Sequence, residues 1–364
     1  VSETALGLAW IACVAKRDLQ GAARRAGGAD RLWSRSPAAL ADALGLAGER
    51  RSRVIDGRRE FDAEAARRSL TQSGLAFIEA DRLPRRLGEI YDPPFGIFAR
   101  GTDALGALGS LDEGVTVAVV GARASSAGGA AFARRLAYGL ARRGACVVSG
   151  MARGIDAAAH TGALDAGGTT IAVLGCGVDV AYPRRNAPLA RAIEERGALV
   201  SEYWPGTPPA PWRFPARNRI VAGLADAVVV VEAGEGSGAL ITADFAIELG
   251  RPVLATPGPP WHRATAGGNA LLKAGATMCE GVEDVVEELP RSPWQTPSEA
   301  SDTSLSARAR AVGEALALEP RGADALAEHL EIAPSEVRIA ISELELAGIL
   351  VRGAGGVYAL GREG

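Results

Sequence analysis

The sequence is short of several things at once. Of its 364 residues only Lys16 and Lys273 are lysines, and only His160, His262 and His329 are histidines. Its four cysteines, Cys13, Cys146, Cys176 and Cys279, form no CxxC pair. A zinc cluster or a disulfide framework is therefore not expected, and no metal or other cofactor is called for. The thiols read as reduced and buried, as in a cytoplasmic protein. No apolar run approaches the roughly 18 residues that cross a bilayer, so no membrane span is expected. The first 20 residues also lack the basic start, apolar core and small-residue cleavage site of a secretory leader.

Excess positive charge is missing too. A net charge of −3 argues against a protein that coats nucleic acid with its whole surface. It leaves room for a local basic groove. With 40 basic residues and two lysines, 38 are arginines, so phosphate contacts would be arginine contacts.

At roughly 150 residues per domain, the length predicts two or three domains. Residues 1–78 read as an Arg/Ala-rich helical module, with helices near 5–15, 37–46 and 62–73 and breaks at Gly21 and Gly27-Gly28. Either contact with a DNA backbone or plain packing on a neighbouring domain would suit it. Tyr91-Asp-Pro-Pro-Phe95 is extended, because proline fixes φ and restricts the residue before it. From Val115 onward, β-branched runs at 115–120, 145–149, 169–174, 198–201, 227–232 and 252–255 alternate with helical stretches at 128–143, 156–165, 188–196, 216–224 and 238–249. This alternation predicts an α/β domain over 79–289, an extended Rossmann-like parallel sheet covered on both faces. Residues 290–303 are rich in Pro, Ser and Thr and read as a linker. Residues 304–364 carry three short helices and a hairpin, a winged-helix pattern.

Ligands of open α/β sheets bind outside the carboxyl ends of the strands. Five such ends stand out. Val119-Val-Gly-Ala-Arg-Ala-Ser-Ser126 lacks the second and third glycines of a dinucleotide fingerprint, and Arg123 in the turn suits phosphate better. Val148-Ser-Gly-Met-Ala-Arg-Gly-Ile-Asp156 places Arg153 beside glycines, with Asp156 available to cap a helix. His160 lies four residues further on, where a catalytic dyad is conceivable but a hydrogen bond to its own helix is the better reading. In the third, Cys176 between glycines lacks a basic partner and reads as a packed thiol. The fourth, Pro211-Trp-Arg-Phe-Pro-Ala-Arg-Asn-Arg-Ile220, combines three arginines with two aromatics and Asn218. Arginine neutralises phosphate, and aromatic rings stack bases. With a helix starting at Ala216, Arg217 and Arg219 would oppose its dipole unless an anion bound there. The fifth, Glu232 followed by Gly234-Glu-Gly-Ser-Gly238, offers either an anion cradle or a general base.

In this order the motifs resemble the DNA-processing protein A (DprA/Smf) family. The resemblance is carried by Val120-Gly-Ala-Arg-Ala-Ser125, Ser149 to Asp156, Tyr182-Pro-Arg-Arg-Asn186, Phe214 to Ile220, Ser237 to Ala243 and Gly267-Gly-Asn269, across about residues 80–288. It implies a mediator and not an enzyme. Such a protein binds and protects single-stranded DNA during natural transformation and recombination, and loads the RecA recombinase onto it. It also implies a homodimer formed through the Rossmann-like domain. Carried over by motif, the DNA contacts would be Arg123, Ser125, Ser149, Gly150, Arg153, Phe214, Arg217, Asn218 and Arg219. Gly268 and Asn269 would border the pocket, and Arg213 would stand in for lysines that family members often carry. The presumed recognition helix of the winged helix holds Arg338 against Glu336, Glu343 and Glu345, which favours a partner or regulatory role over major-groove reading. Two alternatives are a nucleotide phosphoribohydrolase using Glu232 and a winged-helix transcription regulator.

Overall fold

The computed structural model describes residues 1–15, 19–290, 292–295, 306–318, 321–346, 350–352 and 357–360. They divide into two compact units, Val1–Gln295 and Thr296–Gly364.

The first unit opens with six helices, α1 (Glu3–Ala15), α2 (Gln20–Ala26), α3 (Ala29–Trp33), α4 (Pro37–Ala43), α5 (Gly48–Glu60) and α6 (Ala63–Gln72). Local chemistry sets several ends. Ser36 caps α4 ahead of Pro37, and Asp62 accepts two backbone N–H groups at the start of α6. Helix α5 is absent from the sequence expectation because it is rich in arginine and shows no apolar stripe. Packing holds it instead. Val54 is buried, and Trp10 of α1 donates to the Gly57 carbonyl at 3.2 Å.

A nine-stranded sheet follows. Its strands are β1 (Ala76–Glu79), β2 (Gly96–Arg100), β3 (Thr116–Gly121), β4 (Cys146–Ser149), β5 (Thr170–Val173), β6 (Ala198–Ser201), β7 (Ala227–Val231), β8 (Val253–Ala255) and β9 (Thr277–Met278). They lie in the order β1-β2-β6-β5-β4-β3-β7-β8-β9. The six expected strands all form, and from β6 to β9 the sheet is parallel. Three more strands extend the edges, and β1 and β2 run antiparallel, so the sheet is mixed. The expected boundary at residue 78 falls inside β1.

The connecting helices are α7 (Arg85–Gly88), α8 (Ala104–Gly109), α9 (Ala127–Arg142), α10 (Ile155–Asp165), α11 (Ala187–Arg196), α12 (Arg213–Leu224), α13 (Gly238–Glu248), α14 (Ala266–Lys273) and α15 (Val282–Glu288). Alternate strand residues feed two cores. Ala118, Val120, Val228 and Val230 pack in one core with residues of α12 and α13, while Val117, Val119, Val229 and Val231 pack in the other with residues of α9 and α10. Strand order reverses between β3 and β7, so a crevice opens at their carboxyl ends.

The amino end of β3 is fastened by charge. Asp226, in the turn between α12 and β7, accepts the Thr116 N–H at 2.8 Å and pairs with Arg86 of α7 at 2.7 Å. Arg86 also donates to the Leu111 carbonyl at 2.5 Å.

In the second unit, α16 (Ala307–Leu318), α17 (Ala323–Leu330) and α18 (Pro334–Leu346) pack with β10 (Arg321–Gly322), β11 (Leu350–Arg352) and β12 (Val357–Leu360). This is the expected winged helix, with β10 added to the hairpin in the order β10-β12-β11. Val312, Leu326, Val337, Ile341 and Tyr358 share its core. Glu331 turns the chain between α17 and α18 at φ 53°. On α18, Glu336 pairs with Arg308 at 2.8 Å and Glu343 accepts from Ser306, which leaves Arg338 and Ile339 exposed. Residues 291 and 296–303 of the expected linker, and the glycine turn at 353–356, lie outside the described residues.

Removing one partner of the half-buried Arg86–Asp226 pair strands the other. Asp226→Ala should cost about 2–3 kcal/mol, read as a lower urea midpoint, and Arg86→Ala should cost about as much. A double variant much less stable than either single would contradict this pairing.

Candidate nucleic-acid interface

A cleft of about 640 Å³ opens at the crevice between β3 and β7. Its walls come from the end of β3 and the turn after it (Gly121 to Ala124), from Gly150 and Asp156, from Pro209 to Pro211, and from the starts of α12, with Phe214, and α13. A second cavity of about 330 Å³ adjoins it and shares Arg123, Gly150, Tyr182 and Phe214. The Tyr182 and Phe214 rings stand 5.4 Å apart, tilted by 32°. The guanidinium of Arg123 lies 5.1 Å from the centre of the Phe214 ring. Arg153, Arg184 and Arg185 also line this second cavity, which no carboxylate lines. All four arginines are exposed, and among the described residues none has a carboxylate in ion-pair range.

Two strand ends at the crevice carry strained backbone. Met151, after β4, has φ 63°, and Glu232, after β7, has φ 55°. Non-glycine residues adopt such angles where the surroundings over-determine them, often at functional sites. Glu232 is held because its carboxylate accepts the Ser126 N–H at 2.8 Å. Ser126 in turn caps α9 through the Gly129 N–H at 2.9 Å. The anion expected at the start of this helix is thus supplied by the protein itself. The start of α13 differs, because Ser237 and Gly238 face the cleft.

Several residues expected to touch DNA are committed to protein partners. Helix α12 begins at Arg213 and not at Ala216, so Arg217 and Arg219 sit beyond its first turn. Arg217 is 4% exposed. Its Nη1 donates to the carbonyls of Gly150, at 2.7 Å, and Val173. A Cβ on Gly150 would stand 2.5 Å from this guanidinium, which explains the glycine without any ligand. Burial lowers the Arg217 pKa, and the nearby Asp156 carboxylate opposes that shift. Arg219 lies outside the cleft, paired bidentately with Glu202 at 2.7 Å and with Asp92 at 3.4 Å. Burial works against its charge, but the two carboxylates hold its pKa above the ordinary value. Arg213 is 5% exposed and donates to the Pro208 carbonyl. Ser149 is buried and donates to the Val119 carbonyl at 2.6 Å. Gly268 is buried with its N–H on the Ala233 carbonyl, and Asn269 grips the backbone of Gly258.

The structure does bring Arg123, Gly150, Phe214, Arg217 and Asn218 together around the cleft, with Arg153 in the adjoining cavity. Asn218 donates to the Gly238 carbonyl at 2.9 Å. Ser125 is half-buried and lines neither cavity. Tyr182, Arg184 and Arg185 belong to this surface but were absent from the expected contacts, although the doubled arginine after Tyr182-Pro183 was a signal. Cys176 is the packed thiol expected, its pKa pushed up by burial to about 11. Asp156 does not cap α10, whose N-cap is Gly154. It accepts the Ala152 N–H at 3.1 Å.

The fold and the cleft define a class: a Rossmann-like α/β unit with an arginine-rimmed cleft at its strand ends, in a chain that also carries a winged helix. Comparison with known proteins narrows it. The profile of DNA recombination-mediator protein A matches residues 74–290, and that of the DprA winged helix domain matches residues 296–356. The chain belongs to the DNA recombination-mediator protein A (DprA/Smf) family. Protein Smf of Escherichia coli (strain K12) is 39% identical over 303 residues, covering 80% of this chain and 79% of that protein. The putative DNA processing protein DprA of Mycobacterium tuberculosis is 45% identical over 245 residues, 64% of this chain, and the match spans only 61% of that relative's length. The X-ray structure of DNA processing protein A from Streptococcus pneumoniae superposes with a TM-score of 0.63 at 34% identity, covering 78% of this chain and 95% of that one. DNA processing protein A from Helicobacter pylori, whose structural report concerns its single-stranded DNA binding mode, gives 0.53 at 29% identity over 60% of this chain and 96% of that one.

His160 of α10 is buried and bonds across to the start of β5, not to its own helix. Its Nδ1 is 2.7 Å from the Thr170 hydroxyl, which itself donates to the Val147 carbonyl at 2.6 Å. The hydroxyl must therefore accept, which places the proton on Nδ1 and leaves buried Nε2 without a partner. Burial, with Arg217 nearby, pushes the pKa down to about 3. Because the folded value lies below the unfolded one, stability present above pH ~6.5 drains away as the pH falls towards the folded value. The wild-type urea midpoint should drop between pH 6.5 and 4.5, by about 2 kcal/mol equivalent near pH 5, and His160→Gln should drop less. Burial raises the Asp156 pKa, which acts in the opposite sense in both proteins alike, so the assignment rests on the difference between them. Equal slopes for the two proteins would refute the assignment.

Proposed function

We propose that this chain is a non-catalytic recombination mediator that binds and protects single-stranded DNA in its cleft and loads the RecA recombinase onto it. It works as a homodimer through the Rossmann-like unit, in transformation and recombination. One observation supports the binding role above the others. Arg123, Arg153, Arg184 and Arg185 are exposed, free of carboxylates among the described residues, and grouped around Tyr182 and Phe214. Arginines neutralise phosphates, and the rings offer stacking surfaces that accept any base. The net charge of −3 suits a narrow track better than a broad coat. Recombinase loading and dimerisation rest on the family relationship. The committed Glu232 carboxylate weakens the phosphoribohydrolase alternative, which needs it free.

The test is fluorescence anisotropy of a labelled single strand, with unlabelled duplex as competitor, at two salt concentrations. Binding that falls with salt and resists duplex supports the proposal. No binding, or duplex winning, defeats it. Arg123→Ala should lower the logarithmic salt slope by about 0.7, and Arg153→Ala by a similar amount. Phe214→Ala should lose about 1–3 kcal/mol with little change in slope. Arg219→Ala should leave the slope alone and lower the urea midpoint, since its charge faces Glu202 and Asp92.

A further inference from the structure

We infer that Trp212 is a second base-stacking surface on the lip of the cleft, with Arg213 as the positioning residue behind it. The inference rests on the single-strand reading above. Trp212 lies between Pro211 and Phe214, both of which line the cleft, yet its own side chain stands outside and is 46% exposed. An indole gains stability from burial, so a half-exposed one that is rigidly backed needs a reason. The backing is specific. Tyr203 meets the Trp212 ring edge-on, with centroids 6.2 Å apart at 89°. The Arg213 guanidinium lies 5.0 Å from the Trp212 ring and 5.1 Å from the Tyr203 ring, and it bonds the Pro208 carbonyl. Arg213 is itself buried, so its charge reaches a ligand through the ring it supports and not by direct contact. The rest of the indole faces solvent, two residues along the chain from Phe214. A strand with one base against Phe214 brings a neighbouring base within reach of this second ring, where stacking is sequence-tolerant.

The experiment is a length series of oligothymidylates, from two nucleotides to about twenty, titrated against the whole chain. Trp212→Ala should bind the long strands about tenfold more weakly and the shortest ones as the wild type does, with the salt slope unchanged. Trp212→Phe should keep most of the affinity, which separates lost stacking from a folding defect. Arg213→Gln should lose the same long-strand increment at constant slope. Wild-type affinity for long strands in Trp212→Ala would overturn the inference, and so would a flattened slope in Arg213→Gln, which would make Arg213 a phosphate ligand. A wild-type protein that binds no strand of any length fails the single-strand reading instead.

Discussion

The Arg217 guanidinium is buried where the carboxyl ends of β4 and β5 meet α12, and the shape of the cleft depends on it. It ties the carbonyls of Gly150 and Val173 together beside the Asp156 carboxylate. A cation taken out of water is tolerable only when its hydrogen bonds and a counter-charge are supplied. Those requirements fix the positions of two strand-end loops and of the helix that bears Phe214. They also explain why Gly150 must be glycine and why the α12 wall cannot slide along the sheet.

Around this strut the chain divides its arginines into two kinds. Arg86, Arg213, Arg217, Arg219 and Arg251 point inward and hold turns and helices through carbonyls and carboxylates. Arg123, Arg153, Arg184 and Arg185 point outward around the cleft. A planar fork with five donors serves both purposes, whereas an ammonium serves the first poorly. The near absence of lysine therefore costs the fold nothing, and a net-negative protein still presents one strongly positive surface.

Much of the fold was legible because its strands are continuous β-branched runs and its turns are glycine-rich. Residues 116–121 and 227–231 announce themselves in this way. The winged helix was legible from helix spacing. The added strands β1, β2 and β9 were not, since short strands such as Ala76–Glu79 have no periodicity to read and form by pairing. Nor was α5, which packing stabilises and propensity hardly marks. Of the candidate site, the cluster of motifs was visible, and so were Arg123, Arg153 and Phe214. What stayed hidden was the direction of each arginine. Arg217 and Arg219 are two residues apart on one helix, yet one reaches into the sheet and the other turns to Glu202. Sequence spacing gives a helix face, but which partner waits there is decided by distant parts of the chain.

Glu232 has a consequence for selectivity. A helix start in a Rossmann-like sheet ordinarily welcomes any small phosphate, and free nucleotides are abundant in cells. Here a carboxylate built into the chain occupies the donors at the start of α9, like a plug left in a socket. A mononucleotide therefore finds no free cradle at the start of α9. Around the cleft stand separate arginine and aromatic groups. Only a polymer can engage several of them together, through the gain in effective concentration that comes with linked sites. On the proposed single-strand reading, that carboxylate closes one place where a lone phosphate would settle, and the spread contacts answer to a chain of nucleotides.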